Sequence, residues 1–325
     1  MKKTLDLADI YAPVRDDLEK VRESLRSISR VDFPWLSEQL DYVVRGGGKG
    51  IRPALTLLAG KFYKYHLKYL LPMAASVELM HTATLVHDDA IDKSVVRRGQ
   101  PTINKMWGDE DAILLGDYLF AKAGEFVADT ESPRVIKLFS QTLAMISRGE
   151  INQLLDAFKI PQTREGYFQR ISHKTAALFC LATESGAILS KAPEKSVDKL
   201  REYGHNLGIA FQIVDDILDF TGTEERLGKP VGSDLTQGTL TLPAMLVLER
   251  LPGDNPVRRA LKNKGNRKYV EEAIRLIRNS PVVDECYKIA EDYCTRAAAN
   301  LKDLPQNDAR RSLTDLTDYI LKRDI

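Results

Sequence analysis

The chain has 325 residues, 43% of them hydrophobic and 29% charged, with a formal net charge of +1. That balance gives no basic surface of the kind that binds nucleic acid, and the length allows a large buried core. Cys180, Cys286 and Cys294 lack metal-type CxxC spacing and read as buried fillers in a reducing compartment.

The N-terminus, MKKTLDLADIYAPVRDDLEK, has no signal-peptide core, and no apolar run approaches the roughly 18 residues of a membrane span. A cytoplasmic protein is expected. No Pro/Gly/Ser linker or composition shift divides it, so residues 1–325 are read as one domain.

Residues 4–29 alternate charge with Leu, Val and Ile at helical spacing, which predicts an amphipathic surface helix. A second helix, 34–45, stops at Gly46-Gly47-Gly48, since runs of glycine disfavour helix. The segment Gly46 to Arg52 reads as a phosphate cradle, with Lys49 and Arg52 adding charge, or as a plain inter-helix turn. It lacks the spacing of a Walker A loop. Pro53 suits the first turn of a helix at 53–64.

A long helix at 72–93, rich in small and apolar residues, is expected at the centre of the fold. Residues 94–107 form a basic loop with Arg97-Arg98-Gly99-Gln100-Pro101. Helices follow at 109–128, 133–157 and 164–191. The last holds Lys174-Thr175 in an apolar setting, where a lysine snorkels out, marks a helix break or meets an anion.

A helix at 195–221 precedes a long glycine-bearing loop, Gly222 to Gly238, of a kind that is usually functional. Lys229 within it can close over a phosphate or be an ordinary loop lysine. Shorter helices run from Leu240 to the end, with a basic Lys322-Arg323 near the C-terminus. Period-2 patterning is almost absent, so the fold class is all-α, a bundle of about a dozen helices.

Two of these helices carry one acidic pentapeptide: Asp88-Asp89-Ala90-Ile91-Asp92 and Asp215-Asp216-Ile217-Leu218-Asp219. Helical residues i and i+4 stack on one face about 6 Å apart, so each copy projects three carboxylates from one side. The second copy stands among Phe211, Ile213, Val214, Ile217, Leu218 and Phe220, with no basic residue within two turns. A helix apolar on nearly every bearing is buried, and unpaired buried carboxylates are costly. Mg²⁺ answers them well, because it takes one or two carboxylates and fills its shell with water and phosphate. The bland reading is an acidic patch neutralised by Lys93, Arg97 and Arg98.

Arg97 and Arg98 match phosphate through their planar forks, or simply neutralise the nearby acids. His81 lies seven residues before Asp88 on nearly the same face and can donate to an anion. His87 beside the triplet reads as a structural histidine. Gln212 stands one turn before Asp216. Two diphosphates, several Mg²⁺ ions and an oily helical cavity suit ionisation of an allylic diphosphate, with the metals drawing off pyrophosphate. No general-base dyad, nucleophile with a His partner, or zinc spacing appears.

GGGKGIRP, LVHDDAID with RRGQPT, KTAALF, FQIVDDILD and GKPVGSDLTQGTLTLP together resemble the trans-isoprenyl diphosphate synthases, over residues 40 to 250. The resemblance implies the all-α prenyl-synthase fold with a central apolar cavity, a homodimer and Mg²⁺. It implies peripheral membrane contact at most, for product release. Asp88, Asp89, Asp92, Asp215, Asp216 and Asp219 would bind Mg²⁺. Lys49, Arg52, His81 and Arg98 would bind isopentenyl diphosphate. Arg97, Lys174, Thr175, Gln212 and Lys229 would hold the allylic diphosphate. Asp88, Asp92, Asp215 and Lys174 would carry the chemistry. Thr239 departs from the pattern, since many relatives have a second Lys there.

Product length is read from positions before Asp88. Ala83 and Thr84 are small, so the cavity should extend past the farnesyl stage, with Met80 capping or lining it one turn deeper. The wording HTATLVHDD is closer to the medium- and long-chain quinone side-chain enzymes than to geranylgeranyl diphosphate synthases. A class I terpene cyclase would replace the second DDxxD and leave the isopentenyl site unused. A non-catalytic synthase subunit would have lost its acids, and a helical scaffold would have no use for them.

Overall fold

The long apolar stretch before the first acid triplet becomes the axis of the molecule. In this computed structural model, which describes residues 6–160, 162–224, 228 and 230–323, the N-terminal segment is a short α1 (Leu7–Ile10), a 3₁₀ turn (Ala12–Val14) and α2 (Arg15–Ser27). The single helix expected at 4–29 is broken at Pro13, which lacks an N–H and clashes with the preceding turn. Helices α3 (Pro34–Arg45) and α4 (Ile51–Gly60) flank the glycine turn.

Helix α5 (Leu67–Ile91) begins ahead of Pro72, which it accommodates near its start. Its Leu70, Met73, Val77 and Met80 have no exposure, so apolar burial fixes its position. The loop expected at 94–107 is instead a two-residue hairpin. Strands β1 (Val96–Arg97) and β2 (Gln100–Pro101) pair antiparallel, with Arg97 opposite Gln100. Arg98 and Gly99 in the turn both have positive φ (52° and 77°), as a type I′ turn requires. A short α6 (Ile103–Met106) follows.

Helix α7 (Asp109–Ala128) packs along α5, and α8 (Pro133–Asp156) starts from a Ser132 side-chain cap. The helix expected at 164–191 is divided into α9 (Arg164–Ile171), a π-helical turn (Ser172–Ala176) and α10 (Ala177–Leu189). Helix α11 (Glu194–Thr221) carries the second triplet and packs on α10. After the loop come α12 (Ser233–Thr236), α13 (Leu242–Arg250), α14 (Pro256–Lys262), α15 (Arg267–Arg278), α16 (Val282–Asn300) and α17 (Asp308–Lys322). A continuous hydrophobic core joins them from Ile10 to Ile320.

Candidate active site

A cavity of about 640 Å³ opens between the N-terminus of α4, α5, α8, the π turn and α11. Asp88 and Asp215, the leading acids of the two triplets, both stand on its wall. Lys49, Arg52, His81, Arg97, Arg98, Lys174, Thr175 and Gln212 line it too. Sequence positions from 49 to 215 thus converge on one space. Lys229 lies outside the described residues.

The basic end is built by the glycine turn. Gly50 caps α4 with φ +63°, a conformation that side-chain-bearing residues rarely adopt, and a Cβ on Gly48 would come within 3.2 Å of the Arg98 guanidinium. Arg52, in the first turn of α4, lies over the rings of Phe179 and Phe211 at 5.0 and 6.0 Å. Burial pulls its pKa down to about 10, which leaves it charged at neutral pH. Burial also depresses Lys49, whose backbone carbonyl accepts from the Tyr11 hydroxyl at 3.1 Å. Burial, with Arg52, Arg98 and Arg97 nearby, pushes His81 well below its ordinary value, so it faces the cavity as a neutral imidazole.

Around the first triplet, protein cations answer two of the acids. Arg97 reaches back from β1 to Asp89, its Nε and Nη2 donating at 2.7 to 2.9 Å. Burial still raises Asp89, against the opposing pull of Arg97. Lys174 projects from the π turn with its ammonium 3.6 Å from Asp88 Oδ2 and 2.9 Å from the Glu150 carboxylate of α8. Burial would lower its pKa, but Asp88 and Glu150 hold it above the usual lysine range. The π turn explains why an apolar helix tolerates this lysine: its widened backbone re-aims the side chain. Asp92 is raised by burial despite Lys174.

The second triplet differs from its sequence reading. No base lies near it in the chain, yet Arg323, 108 residues on, pairs with Asp215, donates to the Phe211 carbonyl at 2.8 Å and lies 3.8 Å over the Phe211 ring. Asp216 is 2% exposed and turned to two donors: Tyr167 Oη at 2.7 Å and Gln212 Nε2 at 2.8 Å. Burial, then Asp234, pushes its pKa up to about 7. Gln212 in turn accepts from Thr175 at 2.6 Å, tying the π turn to α11. Asp219 accepts the Asp234 N–H at 3.4 Å and caps α12, so its side chain serves the loop.

Among the described residues, no three His, Cys, Asp or Glu side chains gather around one metal position. The exposed acids are hard oxygen donors presented one or two at a time. That donor set fits Mg²⁺ completed by water and phosphate and does not fit an all-protein cage.

The profile of the polyprenyl synthetase family matches residues 33–277. The chain belongs to this family. It is 40% identical to "Heptaprenyl diphosphate synthase component 2" of Geobacillus stearothermophilus, over 98% of this chain and all of that one. It is 37% identical to an all-trans-nonaprenyl-diphosphate synthase (geranyl-diphosphate specific) of Rhodobacter capsulatus, over 97% of each. Its fold superposes with a TM-score of 0.94 on the polyprenyl synthase of Caulobacter crescentus complexed with calcium and isoprenyl diphosphate, at 32% identity over 99% of both. The all-α fold is therefore that of the polyprenyl synthases, and the chain is a prenyltransferase of the medium- to long-chain type.

In this member of the polyprenyl synthetase family, the three positions read for product length separate. Thr84 lines the cavity. Ala83 and Met80 are fully buried. They share a helical face with Ser76 and His87, which bond to the α7 carbonyls of Ala123 and Ile113 at 2.8 and 2.9 Å. His87 is thus a packing residue, as its bland reading had it.

Four contributors had no sequence reading as site residues: Glu78, Glu150, Tyr167 and Arg323. Glu78 and Glu150 line the cavity, Tyr167 holds Asp216 and Arg323 holds Asp215. Only Arg323 left a trace in the sequence, as half of an unassigned basic pair near the C-terminus.

Proposed function

We propose that this chain condenses isopentenyl diphosphate with an allylic prenyl diphosphate, head to tail, to make a linear all-trans polyprenyl diphosphate longer than farnesyl. The observation that carries this reading is the sharing of one cavity by the leading acids of both triplets, Asp88 and Asp215, and the glycine-arginine cradle. Lys49, Arg52 and Arg98 would grip the isopentenyl diphosphate, with neutral His81 donating one hydrogen bond. Lys174, Thr175, Gln212, Arg97 and Lys229 would orient the allylic diphosphate. Asp88, Asp92 and Asp215 would be the main Mg²⁺ ligands. Asp89, Asp216 and Asp219 would support them through Arg97, Tyr167 with Gln212, and the α12 cap. Bound Mg²⁺ supplies Lewis-acid assistance to pyrophosphate departure. Ile146, Leu178 and Phe211 keep the cavity wall apolar, so that water stays away from the reacting carbon.

Heptaprenyl and nonaprenyl in the relatives' names favour a product in that range over geranylgeranyl. We read the chain as one cytoplasmic domain acting as a homodimer. Ile113, Leu114, Met145, Leu154 and Leu155 leave large apolar side chains exposed on α7 and α8, which suits a subunit contact. Among the described residues no helix is long and apolar enough to cross a membrane. The test is to incubate the purified chain with Mg²⁺, farnesyl diphosphate and labelled isopentenyl diphosphate. Linear products longer than farnesyl support the reading. A cyclic hydrocarbon, or no turnover, contradicts it.

A further inference from the structure

Among the described residues, Glu150 is the one carboxylate on the cavity wall that belongs to neither acid triplet and pairs with a site cation. It comes from the middle of α8, and both of its oxygens stand 2.9 Å from the Lys174 ammonium. Its position is built. A Cβ on the preceding Gly149 would come within 3.1 Å of His173 Cβ and 3.3 Å of the Lys174 backbone nitrogen, tighter than most such contacts, so glycine eases the close approach of α8 to the π turn. The side chains of Glu150, Lys174 and Asp88 are 20%, 28% and 16% exposed, so water screens their charges only in part.

Asp88 and Asp92 compete with Glu150 for this ammonium. Asp88 Oδ2 stands at 3.6 Å, and Asp92 acts on the same lysine from farther away. Glu150 holds the nearer contacts. A lysine that settles fully on Asp88 blocks the oxygen that a divalent cation needs. A lysine held by both Glu150 oxygens leaves that oxygen open.

We infer that Glu150 is a positioning residue for the prenyl-transfer site, which holds the Lys174 ammonium off Asp88 and so keeps that carboxylate available to Mg²⁺. The inference rests on the proposed function, since it takes Asp88 as a metal ligand. Glu150→Gln removes the competing charge and lets Lys174 fall onto Asp88. The Mg²⁺ concentration for half-saturation should then rise about tenfold, the size of one charge-assisted hydrogen bond.

The readout is calorimetric titration of the full-length chain with inorganic pyrophosphate at a series of Mg²⁺ concentrations, with no turnover involved. Glu150→Gln should need about tenfold more Mg²⁺ than the unaltered chain, and in a Lys174→Gln background the same change should move the midpoint less than about twofold. An unmoved midpoint in the single variant would overturn the inference. So would an equal shift in the Lys174→Gln background, which would make Glu150 a metal ligand in its own right. Glu150→Asp keeps the charge and should shift the midpoint less than Glu150→Gln; an equal or larger shift would also count against it. If the unaltered chain takes up no Mg²⁺-pyrophosphate, the proposed function itself fails, and this outcome is distinct from the others.

Discussion

Each acidic side chain of the two triplets sits in a different local field. Asp88 and Asp215 face the cavity beside a cationic side chain, whereas Asp216 is buried against two neutral donors. Replacing Asp88 or Asp215 by Ala should therefore abolish nearly all turnover while the helical circular dichroism persists; loss of the fold would point to a structural role instead. Glu184 on α10, outside the cavity lining, gives a test of burial, which outweighs Arg201 and Arg134 in raising its pKa. A raised carboxyl contributes stability below its unfolded value, which is lost as pH rises through the folded one. The melting temperature of Glu184→Gln minus that of the unaltered chain should thus grow as pH rises above about pH 4. A difference that is flat with pH would contradict it. At this scale the aspartates were legible because spacing alone aligns them. Arg323 and Tyr167 were not, since their partners lie 108 and 49 residues away and no local pattern links them.

Helix α5 divides its labour by face. One face carries Ser76, Met80, Ala83 and His87 against α7; the next presents His81, Thr84 and Asp88 to the cavity. Thr84→Phe should shorten the main product with little loss of stability, read by chromatography of the released prenyl chains; an unchanged product would remove Thr84 from the tunnel wall. Ala83→Phe overfills a packed interface, so it should also destabilise the fold by about 1–3 kcal/mol in denaturant titration. Most helices were legible from their apolar period. The N-terminal helix was overextended because Pro13 was given too little weight. The hairpin was missed because two-residue strands are too short to show a period of two. The π turn is invisible to periodicity, since it widens the helix without a glycine or proline to mark it.

The whole molecule is a layered helical bundle whose buried core stops at one polar hollow. Both signs of charge enter that hollow: a cationic end at the α4 cradle and an anionic end on α5 and α11. Two copies of the chain should associate through α7 and α8. Light scattering should give twice the mass of one chain, and paired Leu114→Glu and Leu155→Glu substitutions should halve it. A monomeric unaltered chain would overturn the dimer. The all-α class was expected from the near absence of period-2 patterning, and the convergence on one cavity from two acid triplets that call for cations and a basic glycine segment that calls for phosphate. The separation of Thr84 from Ala83 and Met80 was not, since facing depends on which neighbouring helix each side chain meets.

If the two acid triplets serve a single metal-diphosphate centre opposite the basic cradle, one structure shows it. A crystal structure with Mg²⁺, isopentenyl diphosphate and an unreactive allylic diphosphate analogue tests it most directly. The account predicts metal density bridging the allylic diphosphate to Asp88 on one side and Asp215 on the other, with the second diphosphate on Lys49, Arg52 and Arg98. Metal bound at only one triplet, or a diphosphate seated away from the cradle, would contradict it.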